Sequence, residues 1–219
     1  MEKAEKQKGE MIWPPPDEPK VEDPGLIVDY VEKNAKKGDP DDVLKAADYY
    51  GWNLGKLRSI AIGDVKGKFV DEVVQDVNPT VALECGAWFG YSAVRIARLM
   101  KPGSCFYSLE IDPICTKLTE RFVGHAGLSD KVKVILGDAH EVIPQLKEKY
   151  GIEKIDLALL DNSCKNYKGN LIEMLDAGLI QKGSVVLADN VLYPVANDYR
   201  EFVRSHKRFE STLFDTHLT

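Results

Sequence analysis

Two short runs of this chain end alike. "IDLALLDN" spans residues 155–162 and "SVVLADN" residues 184–190, and each is apolar until an aspartate and an asparagine close it. Asp161, Asp189 and Asn190 are hard oxygen donors. Two carboxylates and an amide oxygen, with water or substrate completing the shell, suit a Mg²⁺-type cation. Left without a cation, two close carboxylates repel and one is driven to stay protonated. The plainer alternative is that each aspartate caps the helix after it and each asparagine makes a turn.

The elements that would bring these residues together are legible as an alternation. Apolar runs at 80–84, 105–111, 132–137, 155–161 and 184–189 read as buried parallel strands. Helical stretches separate or follow them at about 91–101, 113–126, 140–150, 166–178 and 196–206. The pattern predicts an α/β, Rossmann-like, mostly parallel, doubly wound sheet with helices on both faces and right-handed crossovers. Ligands bind such folds beyond the carboxyl ends of the strands, where the strand order switches. Glu84, Glu110, Asp161 and Asp189 all fall at such ends. Helix capping accounts for one acid there more readily than for four.

"LECGAWFGYSA", residues 83–93, supplies a second piece of chemistry. A strand ending at Glu84 is followed by a turn between Gly86 and Gly90, and a helix opens near Tyr91 and Ser92. Glycines let the backbone approach a ligand, and the helix start offers free N–H groups. The spacing is G-x-x-x-G rather than the G-x-G-x-x-G of a dinucleotide site. Glu110, after the next strand, can accept two hydrogen bonds from a ribose diol. Together they fit an NAD site or an S-adenosylmethionine site. In "GDAH" (137–140), Asp138 either faces an adenine or caps the next helix.

Composition narrows the classes. The chain has 219 residues, 44% of them hydrophobic, and a net charge of -6. That suits one α/β domain and gives no case for nucleic-acid or membrane-surface binding. Its four cysteines form no C-x-x-C pair, which fits reduced thiols in a cytoplasmic protein. No apolar run approaches the roughly 20 residues of a membrane span, and "MEKAEKQKGE" lacks a secretory h-region. Residues 1–24 read as a disordered or extended leader, with Trp13 in it, and 25–219 as the domain. Helical patterns open the domain, including a stripe of Val65, Phe69, Val70, Val73 and Val74. A monomer is expected.

The stretches "IGDVKG", "LECGAWFGYSAVRIARLMKPG", "VIPQLKEKY" and "GSVVLADNVLYP" resemble the catechol O-methyltransferase family, and the likeness runs from about residue 26 to the end. The resemblance implies a Rossmann-like methyltransferase that uses S-adenosylmethionine and Mg²⁺ to methylate one oxygen of a catechol-like small molecule. It implies that Ile62 and Glu84 hold the methionine end of the cofactor, with Gly86, Gly90, Tyr91 and Ser92 beside it. Glu110 would bind the ribose and Ile111 the adenine face. Asp138, Ala139 and His140 would line the adenine edge, where the family has serine and glutamine in the last two places. Asp161 would border the cofactor and bind Mg²⁺ with Asp189 and Asn190. Asn190, Pro194 and Cys164 would face the substrate.

The sequence departs from the family on the substrate side. The family's lysine base stands three residues after the first metal aspartate; here that position is Cys164, and Lys165 follows as the nearest catalytic candidate. Tyr167 keeps its family spacing, so Lys165 is turned by about 100° from the base's direction. Two tryptophans that wall the catechol slot are replaced by Arg58 and Ser163. A family glutamate falls at Thr219, so the final strands of the sheet are expected to be truncated. An O-methyltransferase and a cofactor-binding scaffold both fit this pattern.

Overall fold

The computed structural model describes residues 23–54 and 62–214. Trp13, Arg58, Thr219 and most of the expected leader lie outside that range. The leader's boundary shifts slightly: Asp23 caps a helix that begins at Pro24, accepting from the Gly25 N–H at 2.8 Å. A proline is favoured there because the first helical N–H has no partner to lose.

Strands β1 (Val81–Cys85), β2 (Cys105–Glu110), β3 (Val132–Leu136), β4 (Leu157–Leu160) and β5 (Val185–Ala188) form one sheet in the order β3-β2-β1-β4-β5. Every pairing is parallel, where a mostly parallel sheet was expected. The chain steps outward from β1 through β2 to β3, then returns to lay β4 on the other side of β1. The order therefore switches between β1 and β4, and their carboxyl ends flank the crevice.

Residue alternation splits the core into two layers. Ala82, Phe106, Leu157 and Leu159 face α1 (Pro24–Asn34), α2 (Pro40–Tyr49), α3 (Gly63–Val77), α4 (Tyr91–Ala97) and α5 (Pro113–His125). Leu83, Cys85, Leu109, Ala158 and Leu160 face α6 (Ala139–Val142), α7 (Leu146–Tyr150), α8 (Tyr167–Asp176) and α9 (Asn197–Ser205). The single helix expected over 140–150 is two, joined by a 3₁₀ turn at Ile143–Gln145. Pro144 has no N–H to continue the α ladder and sits in that turn.

Helix α3 carries part of the site. Gly67, Val70 and Val74 are buried, whereas Val65 is 38% exposed. At about 100° per residue, Val65 lies about 180° around the helix from Val74, so it leaves the expected stripe. A Cβ on Gly67 would lie 2.2 Å from the Arg95 guanidinium carbon. The glycine thus lets Arg95 cross α3 to reach Asp71, at 2.8 and 3.1 Å. Arg98 joins the same carboxylate at 2.7 and 2.9 Å. This ion pair locks α3 to α4 and sets the first turn of α3 beside the end of β5. β5 is an edge of the sheet as described. Its residues are half-buried, beside a cavity of about 980 Å³ whose walls include Phe69, Val73 and Phe209.

Candidate functional site

The turn after β1 is pressed against the end of β4. Gly86 has φ +95°, and a Cβ there would lie 2.7 Å from the Asp161 carbonyl oxygen. The Asp161 N–H donates to Cys85 O at 2.9 Å, and the Gly86 N–H to Leu109 O at 2.9 Å. Only a residue without a side chain fits at 86 while β1, β2 and β4 converge.

Glu110, the last residue of β2, organises the turn. Its Oε2 accepts the N–H groups of Ala87 (3.0 Å) and Trp88 (2.9 Å), and its Oε1 accepts that of Asp112 (2.9 Å). Trp88 has φ +51°, a left-handed conformation that costs a non-glycine residue about 1–2 kcal/mol. Bonds to an ionised acceptor, worth about 1.5–3 kcal/mol each, offset that strain. A carboxylate offers about four lone-pair sites, so Glu110 is already largely committed. About one acceptor site is left for a further donor from the cavity.

Next to the turn lies a cavity of about 580 Å³. Ile62, Gly86, Tyr91, Ser92, Glu110 and Ile111 line one part of it. Asp138, Ala139, His140, Asp161 and Lys165 line another. Most of the residues expected to bind the cofactor therefore surround one space. Glu84 departs from its expected place. It is the penultimate residue of β1 rather than its end, and it is fully buried. Ser92 and Ser108 hydroxyls each donate to it at 2.5 Å. Burial raises its carboxyl to about 7, and the two hydroxyls oppose the rise.

Other side chains around the cavity have protein partners too. The Tyr91 hydroxyl donates to Asp48 (2.8 Å) and accepts from Arg95 Nη1 (3.0 Å). Desolvation raises Asp48 to about 6. Asp138 caps α6, accepting from the His140 N–H at 2.9 Å, so the capping alternative holds for it. His140 Nδ1 lies 2.6 Å from Glu173 Oε1, which raises the imidazole above its ordinary value. Asn170 Nδ2 reaches Glu173 at 3.3 Å, and Asn162 Nδ2 donates to Asn170 at 3.0 Å. Asn162 Oδ1 is buried without a protein partner. Asn162, Asn170, Glu173 and Trp88 are not among the site residues expected from the sequence. Of these, only Asn162 carried a signal, as the closing residue of "LLDN".

Asp161 and Asp189 follow β4 and β5 directly, with Leu160 paired to Ala188. Neither caps a helix. The 3₁₀ turn after Asp161 has Ser163 as its leading residue with no side-chain bond, and Asp189 accepts its own neighbour's N–H, from Asn190, at 2.8 Å. Burial, and secondarily the Asp189 charge, lift the Asp161 carboxyl well above the usual carboxylate range. Lys66 opposes that rise, and its Nζ donates to both Asp189 oxygens, at 2.8 and 2.6 Å. Two mutually repelling carboxylates, followed in the chain by an amide residue, are hard oxygen donors of the kind a divalent cation takes, although among the described residues no three His, Cys, Asp or Glu side chains gather as a metal cluster. Lys66 stands in "IGDVKG", yet the sequence suggested no role for it.

Around the residues expected to face a substrate, partners are fewer. Cys164 is half-buried, with Sγ 3.9 Å from Asn190 O, and burial pushes its thiol up. Lys165 and Pro194 are exposed, Lys165 at the rim of the cofactor-sized cavity.

A family model described as O-methyltransferase matches residues 50–207. The chain belongs to this family. The catechol O-methyltransferase of Bos taurus is 42% identical over 192 residues, 88% of this chain and 70% of that protein. The transmembrane O-methyltransferase of Homo sapiens is 33% identical over 191 residues, 86% of this chain and 65% of that protein. Among solved structures, an O-methyltransferase from Bacillus cereus in complex with SAH superposes with a TM-score of 0.65. It is 23% identical and covers 84% of this chain and 87% of its own. The fold is that of Rossmann-like methyltransferases, and the chain is a methyltransferase by family.

Proposed function

We propose that the chain transfers a methyl group from S-adenosylmethionine to one hydroxyl of a catechol-like small molecule, with Mg²⁺ held by Asp161, Asp189 and Asn190. The observation that carries this reading is that a Glu110-held glycine turn meets Asp161 at the β1–β4 switch, with Asp189 repelling Asp161 from the end of the adjacent β5. The turn and Glu110 suit the ribose, Ile111 and Ala139 the adenine, and Ser92, held from behind by buried Glu84, the methionine end. The likeness to a catechol O-methyltransferase supports the substrate class. Among the described residues no helix is long and apolar enough to cross a membrane, and we propose a cytoplasmic monomer.

Bound Mg²⁺ would supply positive charge that favours the ionised form of a phenol oxygen. Unaided, ionising a phenol of pKa near 10 at pH 7 costs about 4 kcal/mol. The chain offers weak help with that proton. Cys164, at the family's base position, has a thiol whose proton is held more tightly than usual, and Lys165 is exposed. Losing a general base typically removes about 10²–10⁴-fold in rate. Alignment of the oxygen with methyl and sulfur is worth up to about 7–11 kcal/mol where geometry is good. A slow enzyme is expected.

The same two residues favour a second reading, a cofactor-binding protein with little catalysis. Incubation with S-adenosylmethionine, Mg²⁺ and a catechol panel separates the two. Methylated product supports the enzyme; cofactor binding without product supports the scaffold.

A further inference from the structure

Lys66 is the residue that the proposed function leaves unused, and it stands at the metal aspartates. It lies in the first turn of α3, and its side chain is 15% exposed against 13% for Asp189. Its ammonium meets both Asp189 oxygens, so the pair is bidentate. Asp161 feels the same charge. A Mg²⁺ ion would need Asp189 oxygen at about 2.0–2.1 Å. An ammonium and a divalent ion on one carboxylate, both largely shielded from water, would repel strongly. The α3 backbone cannot easily withdraw, because Arg95 and Arg98 bind it to α4 through Asp71. The lysine stem can, since four methylene groups let the amine swing while the helix stays.

We infer that Lys66 is an internal counter-ion that occupies Asp189 in the metal-free protein and must be displaced for a divalent cation to bind. The inference rests on the proposed Mg²⁺ site. Lys66 does two things there. Without metal it neutralises one of two carboxylates that would otherwise confront each other. With metal present it is a competitor, so affinity for the ion is set by the difference between two cations rather than by the ligands alone.

The test is metal binding, read without turnover. Mg²⁺ is titrated calorimetrically into wild type, Lys66→Met and Lys66→Arg. In parallel, wild-type lysines are acylated with and without saturating Mg²⁺ and quantified by mass spectrometry, with exposed Lys165 as the internal reference. The expected result is at least tenfold tighter Mg²⁺ binding in Lys66→Met, no tightening in Lys66→Arg, and a several-fold rise in Lys66 labelling when Mg²⁺ is added. The labelling arm uses the native chain and decides the matter even should Lys66→Met not fold. Equal Mg²⁺ affinity in wild type and Lys66→Met, with Lys66 labelling unchanged, would overturn the competition while leaving the metal site standing. No Mg²⁺ binding in any of the three proteins would overturn both.

Discussion

Two acids of the site give opposite roles to one functional group, because their surroundings differ. Glu110 ends its strand and collects backbone N–H groups; Glu84 is sealed inside and is raised to about 7. A carboxyl raised on folding holds its proton in the native state where the unfolded chain has released it. Its stabilisation is complete below the unfolded value and is lost as pH rises through about 7. The full effect is about 3 kcal/mol. Glu84→Gln should therefore flatten the fall in denaturant stability between pH 5 and pH 8 by an amount of that order, and superposable wild-type and variant curves would contradict the assignment. Glu110→Ala should weaken S-adenosylmethionine binding at least tenfold by calorimetry and lower the melting temperature, since Ala87, Trp88 and Asp112 lose their acceptor. Unchanged affinity would remove Glu110 from the ribose. At "DNSCKNY", Lys165→Ala should leave methyl transfer nearly unchanged and Cys164→Lys should raise it. A large loss on Lys165→Ala would instead make the shifted lysine the base.

The glycine turn is where an element's geometry decides the site. Gly86→Ala should destabilise the protein by about 1–2 kcal/mol from the left-handed backbone alone, with more from the 2.7 Å approach to Asp161 O. Because that contact sets Asp161, the variant should also lose cofactor affinity; retention of both by urea melts and calorimetry would mean the turn is softer than described. How much of this was legible follows from what each element depends on. β1 and β4 were readable because burial on both faces makes them near-continuous apolar runs; β2, β3 and the half-buried edge strand β5 were readable from short apolar runs alternating with helical stretches. Helix continuity was less so, as Pro144 broke the stretch over 140–150 locally. Lys66 was not readable at all. It lies 123 positions from Asp189, and nothing local in "IGDVKG" marks an amine aimed at another strand's end. Trp88 was hidden for a related reason, since its positive φ is sustained by Glu110, 22 positions away.

At the scale of the whole molecule, strand order gathers the chemistry. Placing β4 beside β1 sets Asp161 against Gly86, and placing β5 beside β4 brings Asp189 within electrostatic reach of Asp161. Two helical layers hold the strand ends around the proposed cofactor cavity, while the residues proposed to face the substrate are exposed Lys165 and Pro194 and half-buried Cys164. A well-walled cavity for the proposed cofactor beside few groups for the proposed substrate accords with the slow, metal-dependent methyl transfer proposed above. The most direct measurement supplies S-adenosylmethionine carrying a labelled methyl group, a catechol, and either Mg²⁺ or a chelator, and follows labelled product by mass spectrometry. Mono-O-methylated catechol should form with Mg²⁺ and disappear with chelator and in Asp189→Asn. Bound cofactor with no labelled product, or product formed equally well in chelator, would contradict it.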